Sequence, residues 1–350
     1  MVLLITSVCC FSFLTLYICI GNNNNLITTN NNNPPFTFSS TAMGTYINQT
    51  ACGKDAQTAC KCALDSIKSL EEKLSWRIGS SDVARLNSSK SGDYIQLSKE
   101  TFDVLSIALD VAENTNGSFE PTILPLSNLW DFGGINQRLP NINEIKSVLP
   151  YVNYKNIAVD KNLNRVKLLK DNIKLDLGGA GKGSACEYAV NEYKLHDLEY
   201  GIISAGGSIG LYGHKKNSDP FKIAIRDPFS TDDTSEFAIF NVASGFISTS
   251  GAYERNFTQD NKFYHHILCP KTGYPVENDL MSVTIYHNSN GTLTDVLSTA
   301  CFVLGKEEAL SLLDKYNASA VFVDKNRHVF TTGIFKNNLK ITNKKFFIDN

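Results

Sequence analysis

Two groups of residues in this chain have types and spacings suited to chemistry at first sight. Asp295 and Thr299 stand four apart in an apolar helical pattern, so their side-chain oxygens share one face, with Ser298 beside them. A carboxylate, hydroxyls and a nearby backbone carbonyl are hard oxygen ligands of the kind magnesium takes. Ordinary capping is the plain alternative: Thr294 or Asp295 would satisfy free N–H groups at a helix start while Thr299 packs. The second group is Tyr264-His265-His266-Ile267. Residues alternate along a strand, so the two histidines face opposite sides and only one can enter a site. An imidazole titrating near about pH 6.5 is a general base for a hydroxyl, and a hydrogen-bonded structural histidine is the alternative. Cys269, three residues on, invites a thiol nucleophile, but no orienting Asn or Asp follows in a recognisable pattern.

A third stretch, DLGGAGKGSA over residues 176–185, joins an acid, a lysine and four glycines at 178, 179, 181 and 183. The spacing predicts a short apolar strand at Ile173 to Leu175, a glycine turn, and a helix after Gly183. Glycine lets backbone approach a ligand closely, and the first amides of a helix attract anions. Neither familiar phosphate cradle fits. Gly181-Lys182 is followed by Gly183 rather than Ser or Thr, and Asp176 holds the place of the first P-loop glycine. The glycine spacing also fails G-x-G-x-x-G. A tight strand-to-helix turn without a ligand remains open beside the phosphate reading.

Positioning these groups requires a substantial framework. Phe36 to Asn48 reads as one strand containing AMGT. Asp55 to Leu74 is amphipathic, with Ala59, Ala63, Ile67, Leu70 and Leu74 at helical spacing. Shorter helices follow at residues 81–87, 99–112 and 143–148, and the 116–122 loop contains a proline that stops any helix. From Asn156 onward, short β-branched runs bounded by turns alternate, as an antiparallel sheet requires. Helices are expected over Asp295 to Val303 and Lys306 to Tyr316. Strands and helices without strict alternation indicate the α+β class.

Composition narrows the function. With 350 residues, 42% of them hydrophobic, the chain can bury a large core. A net charge of −2 without a basic block argues against a nucleic-acid partner. Met1 to Ile20 is apolar and the first charge is Lys54, so residues 1–21 read as a signal peptide or membrane anchor. Residues 22–35 are an Asn-rich tether that cannot build a core, and the folded domain runs over 36–350. An extracytoplasmic location, membrane-associated through the N-terminus or secreted, follows as an expectation. Nine cysteines include no C-x-x-C pair, so a zinc site is not expected, while Cys52, Cys60 and Cys62 cluster in a way compatible with a disulfide.

Taken in order, several segments resemble the ApbE-type FAD:protein FMN transferases: AMGT at 42–45, LSWRIGSSDVARLN at 74–87, NGSFEPT at 116–122, DLGGAGKG at 176–183, AGG at 205–207, STSGAYER at 248–255, HHILCPKTGYP at 265–275 and TDVLSTACFVLG at 294–305. The resemblance implies a two-lobed α+β fold with an antiparallel sheet and FAD in the cleft between lobes. It further implies that Met43, Ser118, Phe119, Glu120, Asp176, Lys182 and Ile267 contact FAD, a substrate rather than a resident cofactor. Magnesium would be held by the Gly179 carbonyl, Asp295 and Thr299, and His266 would be the catalytic base. The implied partner is an acceptor protein with a target Ser or Thr, expected to be a membrane redox subunit. Where the family commonly has Asp, this chain has Glu120 and Cys269, and Ser204 and Ser208 flank AGG where Asn and Asp are usual. Hydrolysis of FAD to FMN and AMP, or FAD binding without catalysis, are the rival readings.

Overall fold

The main sheet of this protein is apolar on both faces, and its central strands are buried along nearly their whole length. In the computed structural model, which describes residues 34–349, β1 (Phe36–Ala42) and β2 (Thr45–Cys52) form an antiparallel hairpin. The single strand expected over 36–48 is therefore two. The chain reverses at Met43 and Gly44, which adopt φ of 54° and 66°. A left-handed methionine is uncommon, because its Cβ crowds the backbone. The helix α1 (Ala56–Leu74) follows with the buried stripe read from its periodicity. Next come α2 (Asp82–Ser88), β3 (Ile95–Gln96), α3 (Lys99–Asn114), α4 (Leu124–Trp130) and α5 (Ile142–Val148). Asn141 caps α5 in a capping box with Glu144. A three-stranded sheet joins β3 to β5 (Arg165–Leu168) and β4 (Ile157–Asp160).

The helix α6 (Gly178–Leu195) begins earlier than its composition predicts, and residues 173–177 form no strand. Its first six residues hold the four glycines, each costing about 1 kcal/mol of helix propensity relative to alanine. Packing explains one of them. A Cβ on Gly183 would lie 2.1 Å from the carbonyl oxygen of Gly291, so two helix backbones meet there. Gly183→Ala is expected to destabilise the protein by at least about 2 kcal/mol, despite alanine's better propensity. Gly181→Ala, where a Cβ meets nothing within 4 Å, should leave stability unchanged or slightly raised. Urea unfolding midpoints check the pair, and equal midpoints for both would contradict this packing account.

After α6 come β6 (Tyr200–Ala205), β7 (Ser208–Gly213), β8 (Phe221–Arg226), β9 (Glu236–Val242) and β10 (Gly245–Gly251). The hairpin β11 (Asn256–Gln259) and β12 (Lys262–His265) leads to β13 (Leu280–His287), α7 (Gly291–Leu304), α8 (Lys306–Lys315), β14 (Ser319–Asp324), β15 (His328–Thr331), β16 (Lys340–Ile341) and β17 (Phe347–Ile348). The main sheet has nine strands in the order β1-β2-β6-β7-β10-β13-β14-β15-β17, antiparallel except for the parallel β15–β17 pair. Its strand order follows chain order, so each strand pairs with the next one that joins the sheet.

Alternate residues of this sheet enter different cores. Ile203 and Ala205 pack with α1 and α6, whereas Ile202 meets Phe221, Ile223 and Phe240 of β8 and β9. Ala320 and Phe322 join the core of α3, α7 and α8, and Val321 and Val323 face the other way. Helices thus cover one face and the small β16-β9-β8 sheet covers the other. This double burial is why the strands read as continuous apolar runs. A fourth cluster, around Trp130, joins α4 and α5 to β12 through Tyr264 and to the segment after it through Leu268, and Trp130 Nε1 donates to the Gly273 carbonyl at 2.8 Å. That cluster fixes the segment carrying His266. Among the described residues no helix is long and apolar enough to cross a membrane, and the apolar run Met1 to Ile20 and most of the tether lie outside them. The cysteines from Cys52 onward are free thiols, so the Cys52, Cys60 and Cys62 cluster forms no disulfide.

Candidate active site

Helix α7 starts four residues before the expected Asp295, and this shift changes what Asp295 can do. Asn290 caps the helix by accepting from the Leu293 N–H, while Glu187 Oε2 on α6 accepts from the Gly291 and Thr292 amides at 3.1 and 3.2 Å. Thr294 Oγ1 donates to the Gly291 carbonyl at 2.7 Å. Capping is thereby complete without Asp295. Its carboxylate, 3% exposed, reaches across to α6 instead. The backbone N–H groups of Lys182 and Gly183 donate to Asp295 Oδ2 at 3.1 and 3.0 Å, and Lys182 Nζ lies 3.6 Å from Oδ1.

The glycine-rich segment therefore uses two of its amides to hold a carboxylate of its own chain. In an α-helix the Gly183 N–H is aimed at the Gly179 carbonyl; here it also serves Asp295. Thr299, one turn beyond Asp295, has its hydroxyl 3.2 Å from Ser250 Oγ, and Ser250 pairs with Ser298 at 2.7 Å. A Cβ on Gly179 would lie 3.9 Å from Thr299 Oγ1 and 3.2 Å from the Phe119 ring. Gly179, Lys182, Asp295, Thr299 and Phe119 thus meet at one corner.

Other segments converge on the same place. A Cβ on Gly206 would lie 3.0 Å from Thr45 Oγ1 and 3.3 Å from Lys182 Cδ, which brings the AMGT and AGG turns to the lysine. The Thr249 N–H donates to the Gly207 carbonyl at 3.0 Å. Ser208, Ser248 and Thr294 form a buried hydroxyl chain with steps of 3.0 and 2.9 Å, so Ser208 bonds within the protein. Asp176 Oδ1 accepts from the Gly178 N–H at 2.8 Å, and its own N–H donates to the Pro121 carbonyl, tying the 116–122 loop to α6.

Within that loop, Glu120 is fully engaged. Its Oε1 accepts from the Thr122 N–H and hydroxyl at 2.9 and 2.7 Å, and Oε2 accepts from the Tyr154 N–H at 2.9 Å. Burial nevertheless pushes its carboxyl above the usual carboxylate range. Ser118 Oγ donates to the Thr115 carbonyl at 3.0 Å, and Phe119 is buried. Ser118 also lines a concavity with Gly117, Cys269, Pro270, Lys271 and Glu308, which puts Cys269 next to this loop.

His266 follows the last residue of β12, and its N–H donates to the Arg255 carbonyl at 3.0 Å. It is half-buried overall, yet its Nδ1 is shut off from solvent and lacks a partner among the described residues. His265 faces the other way: its Nε2 lies 3.1 Å from the Val276 carbonyl and its ring packs edge-on to Phe302. Of the two histidines, His265 takes the structural role. Burial, reinforced by the charges of Arg255, His265 and Lys182, holds His266 down at about 3. Burial, opposed by the Val276 carbonyl and helped by the Lys325 charge, brings His265 to about 4.

Both folded values lie below about 6.5, the ordinary value in an unfolded chain. Protons therefore bind preferentially to the unfolded chain, and stability is complete above about pH 6.5 and lost as pH falls toward 4 and 3. Between pH 6.5 and 5 each histidine should contribute a loss of about 2 kcal/mol. Urea midpoints at pH 7 and 5 check this, with His265→Gln losing markedly less than wild type. A pH-independent midpoint would contradict it.

Residues 43–322 match the model of the ApbE family. This chain belongs to the ApbE family. The FAD:protein FMN transferase of Treponema pallidum is 27% identical over 332 residues, covering 90% of this chain and 91% of that protein. The protein of the same name from Buchnera aphidicola is 31% identical over 273 residues, 75% and 78% of the two chains. The crystal structure of the ApbE protein from Thermotoga maritima superposes with a TM-score of 0.79 at 31% identity, covering 87% of this chain and 98% of that one. The antiparallel-dominated α+β architecture is thus that of ApbE structures.

In this ApbE-family chain, Arg226 of β8 comes up against the STSGAYER segment. Its guanidinium lies 4.9 Å from the Tyr253 ring centroid and 2.5 Å from Asp233. Burial pushes the neighbouring Glu254 carboxyl up, against the nearby Arg226 and Lys182 charges. PFKIAIRDP carries no local pattern that marks this arginine. Only the tertiary approach of β8 to the STSGAYER segment does.

Proposed function

We infer that this protein transfers the FMN moiety of FAD to a Ser or Thr hydroxyl of an acceptor protein, releasing AMP. The observation that carries the reading is the meeting of Asp295 with the Lys182 and Gly183 amides, beside Thr299 and Gly179, in a chain of the ApbE family. Those oxygen donors fit magnesium: a carboxylate, a hydroxyl and a backbone carbonyl, with the carboxylate preset by two N–H groups. Bound by Asp295, Thr299 and the Gly179 carbonyl, the metal supplies neutralisation of charge developing on the diphosphate.

The chain's own residues supply the rest. Met43 and the Ser118-Phe119-Glu120 loop hold the flavin end, with Glu120 setting the loop rather than presenting a free carboxylate. Asp176 and Ile267 contact FAD, and the Lys182 ammonium lies toward the diphosphate. His266, uncharged at neutral pH, accepts the proton of the acceptor hydroxyl. The acceptor oxygen forms the new bond to the FMN phosphorus as the diphosphate P–O bond breaks, and AMP leaves with the bridging oxygen. Residues 1–21 act as signal or anchor and 22–35 as a tether, presenting the domain outside the cytoplasm to a membrane redox subunit.

Chromatography of nucleotides released from FAD tests the reading. AMP should appear only with magnesium and an acceptor present together. AMP without acceptor, accompanied by free FMN, would replace transfer by hydrolysis. Bound FAD without AMP would leave a binding protein.

A further inference from the structure

A second group of ligating side chains lies at the other end of α6, away from the corner at Lys182. Glu192 and His196 are one turn apart on that helix, and Cys62 faces them from α1, which packs alongside through Ala59, Ala63 and Ile67 against Ala185, Ala189 and Tyr193. One carboxylate oxygen, one imidazole nitrogen and the thiol sulfur all lie within 4.8 Å of one another, and all three residues are half-buried. We propose that Cys62, Glu192 and His196 form a divalent-metal site of the zinc class, clamping α1 to α6.

Three features support it. The donor set mixes thiolate, imidazole and carboxylate, which selects zinc-like cations over magnesium or calcium. Zinc bond lengths of about 2.0–2.3 Å in a tetrahedron require ligand atoms about 3.3–3.7 Å apart, so from a spacing within 4.8 Å closure needs side-chain shifts of at most about 1.5 Å. Three protein ligands leave a fourth position for water.

The surroundings are also set for it. Ser66, one turn after Cys62, donates to Glu192 Oε1 at 2.6 Å and fixes that carboxylate, as outer partners of metal ligands do. His196 is the C-cap of α6, where the negative end of the helix dipole favours a cation. From Gly179 to Glu192 the helix runs about 20 Å, so this site is separate from the proposed magnesium corner. The absence of a C-x-x-C pair hid it, because its ligands come from two helices. Binding would exchange the thiol proton for metal and needs no redox partner.

Cobalt titration of the full-length protein, stripped with chelator and held in excess magnesium, tests the proposal. One Co2+ per chain should bind with thiolate charge-transfer and tetrahedral d–d absorption, and one Zn2+ should displace it. Cys62→Ser should abolish the charge-transfer band, His196→Ala should weaken binding by at least about 100-fold, and Ser66→Ala by about 10–100-fold. Cys269→Ser should retain the band. No band in wild type, or a band surviving Cys62→Ser, overturns the site. Should Cys62→Ser fail to fold, alkylation of wild type read by peptide mass spectrometry decides: Zn2+ must protect Cys62, and unchanged labelling rejects the proposal.

Discussion

Asp295→Ala is expected to lower magnesium-dependent FAD turnover by at least about 1000-fold, the scale of losing a charge-stabilising group in the transition state. The carboxylate is buried, and its position is set by the Lys182 and Gly183 amides rather than by helix capping. Alanine also leaves those N–H groups without their acceptor, so part of the effect could come from loosening the α6–α7 contact. Asp295→Asn separates the two. Its amide oxygen can still accept from both N–H groups, so stability should fall less than in the alanine variant, the remaining loss being the Lys182 ion pair, while turnover falls almost as far. Steady-state rates across a magnesium titration, with unfolding midpoints on the same samples, give both readouts. Unchanged turnover in the asparagine variant would remove the metal assignment.

The second large effect is expected at His266. His266→Ala should reduce transfer to the acceptor by about 100–10,000-fold, the usual range for a general base, while FAD affinity changes by no more than about fivefold. Burial keeps this ring uncharged at neutral pH, as it does His265, and what sets His266 apart is that its side chain is not held by the Val276 carbonyl or packed against Phe302. His265→Gln is the matching control, since His265 bonds the Val276 carbonyl and lies in the core. It should cost stability more than rate. Single-turnover kinetics distinguish the two residues, and an equal loss of FAD binding and rate in His266→Ala would make that residue a binding group only.

Much of this architecture is legible in the chain. The apolar spacing of Ala59, Ala63, Ile67, Leu70 and Leu74 yields α1 almost to the residue, because an amphipathic helix on a sheet must bury one stripe. The β-branched runs after Asn156 yield most of the sheet. What eludes local reading is set by tertiary contact. Met43 sits among strand-forming residues, yet the chain reverses there with a left-handed φ that no propensity predicts. The glycines of 178–183 read as a turn, but the close approach of Gly183 to Gly291 makes them the start of α6. That approach also turns the amides of Lys182 and Gly183 inward to Asp295, where the composition had pointed to an anion from outside. Cys62 reads as one of a cysteine cluster with Cys52 and Cys60 until two helices bring Glu192 and His196 to it.

Transfer of FMN to a protein is the central claim, and the intact mass of the acceptor tests it most directly. A candidate acceptor subunit is incubated with FAD, magnesium and either this protein or its Asp295→Asn variant, alongside an acceptor whose target hydroxyl is replaced by alanine. The predicted result is a gain of one FMN moiety on the unaltered acceptor with the wild-type protein alone. A panel of acceptors whose masses never change while FAD is consumed would contradict the account and leave hydrolysis in its place.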